Sequence, residues 1–139
     1  MNRWRYYNPN PKGHREIDCT VRAVSAALGI DWDWAFCLIM SAGFSEKRMG
    51  VSNGTWALVL RRHGFRRAII PNTCPDCYTV EDFCIDHPRG IYVLCMWQHI
   101  ATVRDGYVWD SWDSTREVPQ FYWYQEDDIN AGQDAELGA

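Results

Sequence analysis

The sequence predicts an α+β fold in a single domain. Three observations carry this expectation. Helical periodicity with matching caps is concentrated in the first 64 residues, while β-branched and aromatic runs dominate the second half. No internal repeat or linker separates the halves, and helices followed by antiparallel strands is the α+β order. The 139 residues are 47% hydrophobic and 23% charged, ordinary for one globular unit. A domain of that length buries roughly 68% of the surface its unfolded chain exposes, so it can hold a core without metals or disulfides.

Each element has a local reason. Residues 1–17 read as irregular, because Pro9, Pro11 and Gly13 break any period. Asp18 suits the cap of a first helix that Gly29 ends, with Val21, Val24, Ala27 and Leu28 on one face. A second helix is expected from the Asp31 cap to Gly43, and a third after Ser52-Asn53-Gly54 up to Gly64. Ala68-Ile69-Ile70 reads as a short strand. Thr79 with Asp82 forms a capping box, with Asp in place of Glu, opening a short helix that Pro88 ends. The continuous apolar run Ile91–Trp97 predicts a central strand. His99–Val103 and Tyr107–Asp110 flank Arg104-Asp105-Gly106, where Asp-Gly signals a tight hairpin. Val118–Tyr124 reads as an edge strand with Pro119 near its start. The domain is expected over 1–124, with 125–139 an acidic, flexible tail poor in apolar residues.

Composition narrows the function. Fourteen basic against eighteen acidic residues give −4, the wrong sign for a bulk nucleic-acid binder. Trp4, Tyr6 and Tyr7 alternate with Arg3 and Arg5, but so short a basic-aromatic stretch is weak support for nucleic-acid stacking. No run approaches 18 apolar residues, so no membrane helix is expected, and the basic N-terminus lacks the apolar core of a secretory signal. The expectation is a cytoplasmic monomer with reduced thiols. Each of six cysteines is then a buried small hydrophobe, a metal ligand or a nucleophile. Cys37 and Cys95 lie in apolar runs and read as core.

Cys19 falls in the first turn of the first helix. Free N–H groups and the positive end of the dipole there favour the thiolate, the reactive form. The Cys19 N–H can also face an oxyanion. A nucleophile needs a base. His63 and His87 close helices and His14 lies in the irregular segment, whereas His99 opens a strand at the rim of a buried sheet. If Asp105 and Gly106 are the two loop residues, Arg104 pairs with Tyr107 and His99 faces Trp112. Asp110 then lies diagonally from His99 on one face, at about 7–8 Å between Cα atoms. It can accept from one imidazole nitrogen and fix the tautomer. Asp113 has the opposite parity, and Asp105 is a turn former.

Cysteine on an early helix, histidine on a later strand and aspartate on the next is the order of papain-like cysteine hydrolases. Asp18-Cys-Thr-Val-Arg-Ala23 and the stretch His99–Ser114 carry the resemblance, helped by Cys74–Val80 and Phe121-Tyr-Trp123. Over residues 4–124 the chain resembles a group of small papain-like proteins common in bacteriophage and prophage genomes. The resemblance implies a papain-like cysteine protease fold, with N-terminal helices packed on a C-terminal antiparallel sheet. It maps Cys19 to nucleophile, His99 to base and Asp110 to orienting residue. It implies a peptidase, amidase or isopeptidase acting on a peptide or protein through a thioester, with no cofactor needed for catalysis. A phage-encoded copy would act in the host cytoplasm. Acyl transfer to an amine uses the same residues. The alternative is a weakly active or inactive phage accessory module of the same fold. The Gln that many such enzymes place before the cysteine is missing from residues 11–18; Asn8, Asn10 or His14 could stand in for it, and Asn10 is the favoured second oxyanion donor.

A competing cluster spells C-x2-C-x6-C-x2-H over Cys74, Cys77, Cys84 and His87. Three thiolates and an imidazole make a tetrahedral zinc set, so a structural zinc supporting an interaction surface is the second expectation. Turn residues beside Pro75, an inward-facing Cys84 and a helix-end His87 explain the same four without metal. Arg61-Arg62 and Arg66-Arg67 read as a solvated basic face.

Overall fold

Two side-chain caps fix helix starts that the sequence marks. Asp31 accepts from the N–H of Trp34, and Thr79 and Asp82 close both halves of the capping box. The computed structural model describes residues 2–125. The order is β1 (Trp4–Tyr6), α1 (Cys19–Leu28), α2 (Trp32–Glu46), α3 (Asn53–Arg62), β2 (Phe65–Ile69), α4 (Val80–Asp86), β3 (Ile91–Met96), β4 (His99–Arg104), β5 (Tyr107–Asp110) and β6 (Phe121–Gln125). This is the expected α+β class. The strands form one mixed sheet in the order β1-β5-β4-β3-β6-β2, antiparallel except for β1 beside β5. Gln125 ends β6, and the rest of the expected tail lies outside the described residues.

The sheet divides the core. On one face Val93, Cys95, Ile100 and Trp123 pack against α1, α2 and α3. On the other, Leu94, Val103 and Val108 meet Val80, Phe83 and Cys84 of α4. The alternation of β3 residues between the clusters is the period-2 consequence of a strand buried on both faces. Every residue of α1 from Thr20 to Ala27 is buried, not the single face the pattern suggested. The helix lies between the sheet and the other two helices of that layer, which fixes its first turn in place.

Four sequence expectations change. The strand read over Ala68–Ile70 spans Phe65–Ile69, because β6 pairs with the chain from Phe65 onward. β1 falls inside the segment read as irregular; three residues are too few to show a period, and the strand takes its hydrogen bonds from β5. β6 is not an edge: β3 pairs on one side and β2 on the other, and Pro119 stands before the strand begins. The second helix continues past Gly43 to Glu46, where Lys47 turns left-handed (φ 58°). Gly43 is required for close approach. A Cβ there would stand 2.6 Å from the Arg48 carbonyl oxygen. Backbone cannot give way easily, so Gly43→Ala is expected to destabilise the fold by about 1–2 kcal/mol despite better helix propensity. Urea denaturation of the two proteins measures this directly.

Candidate active site

The N-terminus of α1 and the start of β4 meet at Cys19 and His99. Asp18 caps α1 by position but not by side chain. Its Oδ1 accepts from Arg22 Nη1 at 2.8 Å and its Oδ2 from the Trp32 indole at 2.9 Å. The helix's first-turn N–H groups are therefore left without a side-chain cap from Asp18. Asp18 and Arg22 thus form an ion pair, one turn apart and buried.

His99 follows the two-residue Trp97-Gln98 turn, in which Gln98 adopts a left-handed conformation (φ 54°). The β4–β5 register is the expected one: Arg104 faces Tyr107, Val103 faces Val108 and Thr102 faces Trp109. Asp105 and Gly106 supply the two positive φ angles of the hairpin loop. Beyond the last of these pairs, His99 Nε2 meets Asp110 Oδ2 at 2.6 Å. Nδ1 is left for the other partner, Cys19, with which His99 shares a side-chain hydrogen bond. The Trp112 ring lies 4.7 Å from the imidazole, centre to centre, as the register implied.

Asp110 is wholly buried, and every lone-pair direction is used. Oδ2 also accepts from Ser114 Oγ at 2.8 Å. Oδ1 accepts from the Ser111 N–H at 2.8 Å and pairs with Arg22 Nη2 at 3.2 Å. Its backbone carbonyl accepts from Tyr7 N–H at 2.8 Å and the Trp4 indole at 3.0 Å. Arg22 thus bridges two buried carboxylates, Asp18 and Asp110. One guanidinium against two carboxylates leaves a negative charge that an imidazolium at His99 balances.

The electrostatics follow from these contacts. Burial lowers the His99 pKa, but the hydrogen bonds and charges of Asp110 and Cys19 outweigh it and push it up to about 9. Burial raises the Cys19 thiol, yet the His99 hydrogen bond, the Ile100 N–H and the positive charges of His99 and Arg22 hold it below the ordinary thiol value. The pair therefore favours thiolate and imidazolium together.

A cavity of about 450 Å³ opens beside this pair. Trp97, Gln98, Phe121, Trp56 and Asn53 form much of its wall, and among the described residues no Asp, Glu, Lys or Arg lines it. An electrophilic carbonyl entering it can meet a thiolate, a proton donor and the N–H groups of a helix start.

Asn10 is not brought there. Its side-chain oxygen accepts from Lys12 N–H at 2.9 Å and its carbonyl from Gly13 N–H, so it builds a turn instead. The amide side chains that do line the cavity are Asn53, Gln98 and Gln120. The Asp18–Arg22 spacing pointed to the ion pair. Nothing in the sequence pointed to the further bond from Arg22 to Asp110, because it spans separate elements.

The four residues of the zinc pattern do not converge. Cys74 and Cys77 lie 4.1 Å apart at Cα in one turn and are joined as a disulfide, which corrects the expectation of reduced thiols there. Cys84 is buried against the sheet, where loss of solvent pushes its thiol up to about 12. His87 Nδ1 contacts the Phe83 carbonyl at 2.9 Å, and its ring stacks on Phe83. No metal-ligating group of three or more occurs among the described residues. Cys95 is core as expected, but Cys37 sits on the exposed side of α2. The N-terminal aromatics are also occupied: Trp4 and Tyr7 bond Asp110 and Ser25, and Arg3 and Arg5 lie over Tyr107. Among the described residues no single helix is long and apolar enough to cross a membrane.

The sequence matches no family model and no curated protein, and the fold matches no solved structure. The fold and the site define an α+β domain with a hydrogen-bonded Cys-His-Asp series at the junction of a helix N-terminus and a sheet.

Proposed function

We propose that this protein is a papain-like cysteine hydrolase that cleaves a peptide, amide or isopeptide bond. The observation carrying the reading is the unbroken series from the first-turn Cys19 through His99 to the fully buried Asp110. Cys19 Sγ bonds to the substrate carbonyl carbon, and the π pair moves to oxygen. The Cys19 N–H faces that oxyanion. Collapse breaks the C–N bond, and the His99 imidazolium gives its proton to the departing amine. The acyl group remains as a thioester. Water then gives a proton to His99 and attacks, releasing the acid and regenerating the thiolate. Asp110 holds the ring orientation and balances the imidazolium throughout. An amine in place of water turns the second half into acyl transfer.

A catalytically idle module of the same fold is the second reading. Its support is the position of Asn10, which leaves the upstream oxyanion donor unfilled. Incubating the protein with a mixed library of acylated peptidyl aminocoumarins separates the two. Fluorophore release that disappears in Cys19→Ala, with an acyl adduct on Cys19 in acid-quenched samples, is the result expected of the hydrolase. No release and no adduct across the library would overturn it.

A further inference from the structure

The cavity at Cys19 continues into a second hollow of about 440 Å³ along the outer side of α1 and α2. Ile17, Thr20 and Val51 belong to both. The second hollow is walled by Trp32, Phe36, Ile39, Met40 and Met49. Trp32 and Phe36, one helical turn apart, stack at 5.0 Å. The loop after α2 packs back on that helix and completes the lining: a Cβ at Gly50 would stand 3.0 Å from the Met40 methyl carbon. Several of these apolar side chains face solvent, with Ile17 90%, Met49 76%, Val51 59% and Met40 42% exposed. Exposed apolar side chains that continue from a reactive cleft mark a binding surface better than scattered ones do.

Charge and direction identify what fits. Among the described residues, the charged ones along the second hollow are Glu16 and Asp18, and Asp18 is committed to Arg22. An acidic ligand is disfavoured there. The second hollow includes none of Trp97, Gln98 or His99. The leaving amine must take its proton from His99, so it departs on the imidazole side. The groove therefore takes the acyl side. A small amide would fill the first cavity and leave the second empty. In an extended chain, alternate side chains stand roughly 6–7 Å apart on one face, suited to two adjoining hollows.

Resting on the hydrolase reading above, we infer that the substrate is a polypeptide. Its acyl-side segment is extended and apolar, with one bulky side chain beside Cys19 and a second in the α2 groove.

Three chloromethyl ketones test this on the full chain: acetyl-Leu, acetyl-Phe-Ala-Leu and acetyl-Glu-Ala-Leu, each carrying the same reactive carbon. The rate read is loss of free Cys19 by peptide mass mapping. One bulky apolar contact is worth about tenfold or more in rate, so the Phe peptide is expected to react about tenfold faster than the other two. Met40→Glu and Met49→Glu, both at exposed positions, are expected to bring the ratio of the Phe-peptide rate to the acetyl-Leu rate back toward one. Equal rates for all three probes, or a gain that survives in both variants, would overturn the substrate class. If iodoacetamide shows no preference for Cys19 in the unaltered protein, the hydrolase reading falls, and the substrate class with it.

Discussion

Replacing Asp110 with alanine is expected to destabilise the fold by about 3–5 kcal/mol. The carboxylate is fully buried and accepts from His99, Ser114, the Ser111 N–H and Arg22. Truncation leaves a buried guanidinium with only Asp18, and deprives the buried Ser114 hydroxyl and His99 Nε2 of the carboxylate oxygen they share. An uncompensated buried charge costs far more than the net worth of the pair it came from. Asp110→Asn keeps the volume and is expected to cost less stability, but it cannot balance an imidazolium. In that variant the His99 pKa should drop from about 9 toward the ordinary imidazole value. Urea denaturation reads the first effect and NMR titration of the His99 ring reads the second. The sign follows from the raised value. Stability contributed by protonated His99 is fully present below the unfolded value near 6.5 and is lost as pH rises through about 9. The difference between wild type and Asp110→Asn should therefore narrow in alkali.

Replacing His99 with alanine is expected to slow alkylation of Cys19 at mildly acidic pH by about a hundredfold or more. An ordinary thiol near 8.5 is only a fraction of a percent thiolate at such a pH. In the intact site, the His99 hydrogen bond and charge are the largest influences holding Cys19 below that range, and burial opposes them. Without His99 burial prevails, and the thiol rises. The Ile100 N–H and Arg22 remain, but the His99 hydrogen bond, the strongest of the lowering influences, and the His99 charge are both gone. The exposed Cys37 serves as an internal reference in the same sample. Iodoacetamide at limiting dose followed by peptide mapping reports both sites together.

The parts of this site that were legible in the sequence are those set by local chemistry. Asp18 and Gly29 bracket α1 by position, which places Cys19 in its first turn, although the Asp18 carboxylate bonds Arg22 and Trp32 instead of capping the helix. The Asp105-Gly106 loop fixes a two-residue hairpin, and its register carries His99 to Trp112 and Asp110 without any tertiary information. Signals that were missed depend on distant partners. β1 exists because β5 offers it hydrogen bonds, and it in turn brings Trp4 and Tyr7 onto the Asp110 carbonyl. β6 is interior because β2 returns to pair with it. Cys74 and Cys77 have a spacing that suits a metal or a disulfide equally well. Packing decides between them: α4 buries Cys84 against the sheet, while Cys74 and Cys77 pair with each other. Asn10 sits close before Cys19 in sequence, but between Pro9 and Pro11 it lies in a turn whose Lys12 N–H its side-chain oxygen accepts, and it does not line the cavity at Cys19.

The central claim is that Cys19 and His99 exist as a thiolate–imidazolium pair. The pH dependence of the Cys19 alkylation rate tests it most directly. The account predicts a rate that reaches a plateau below the ordinary thiol range, with a second inflection near pH 9 where His99 loses its proton. A single titration at or above the ordinary thiol value, superimposable on that of Cys37, would contradict it.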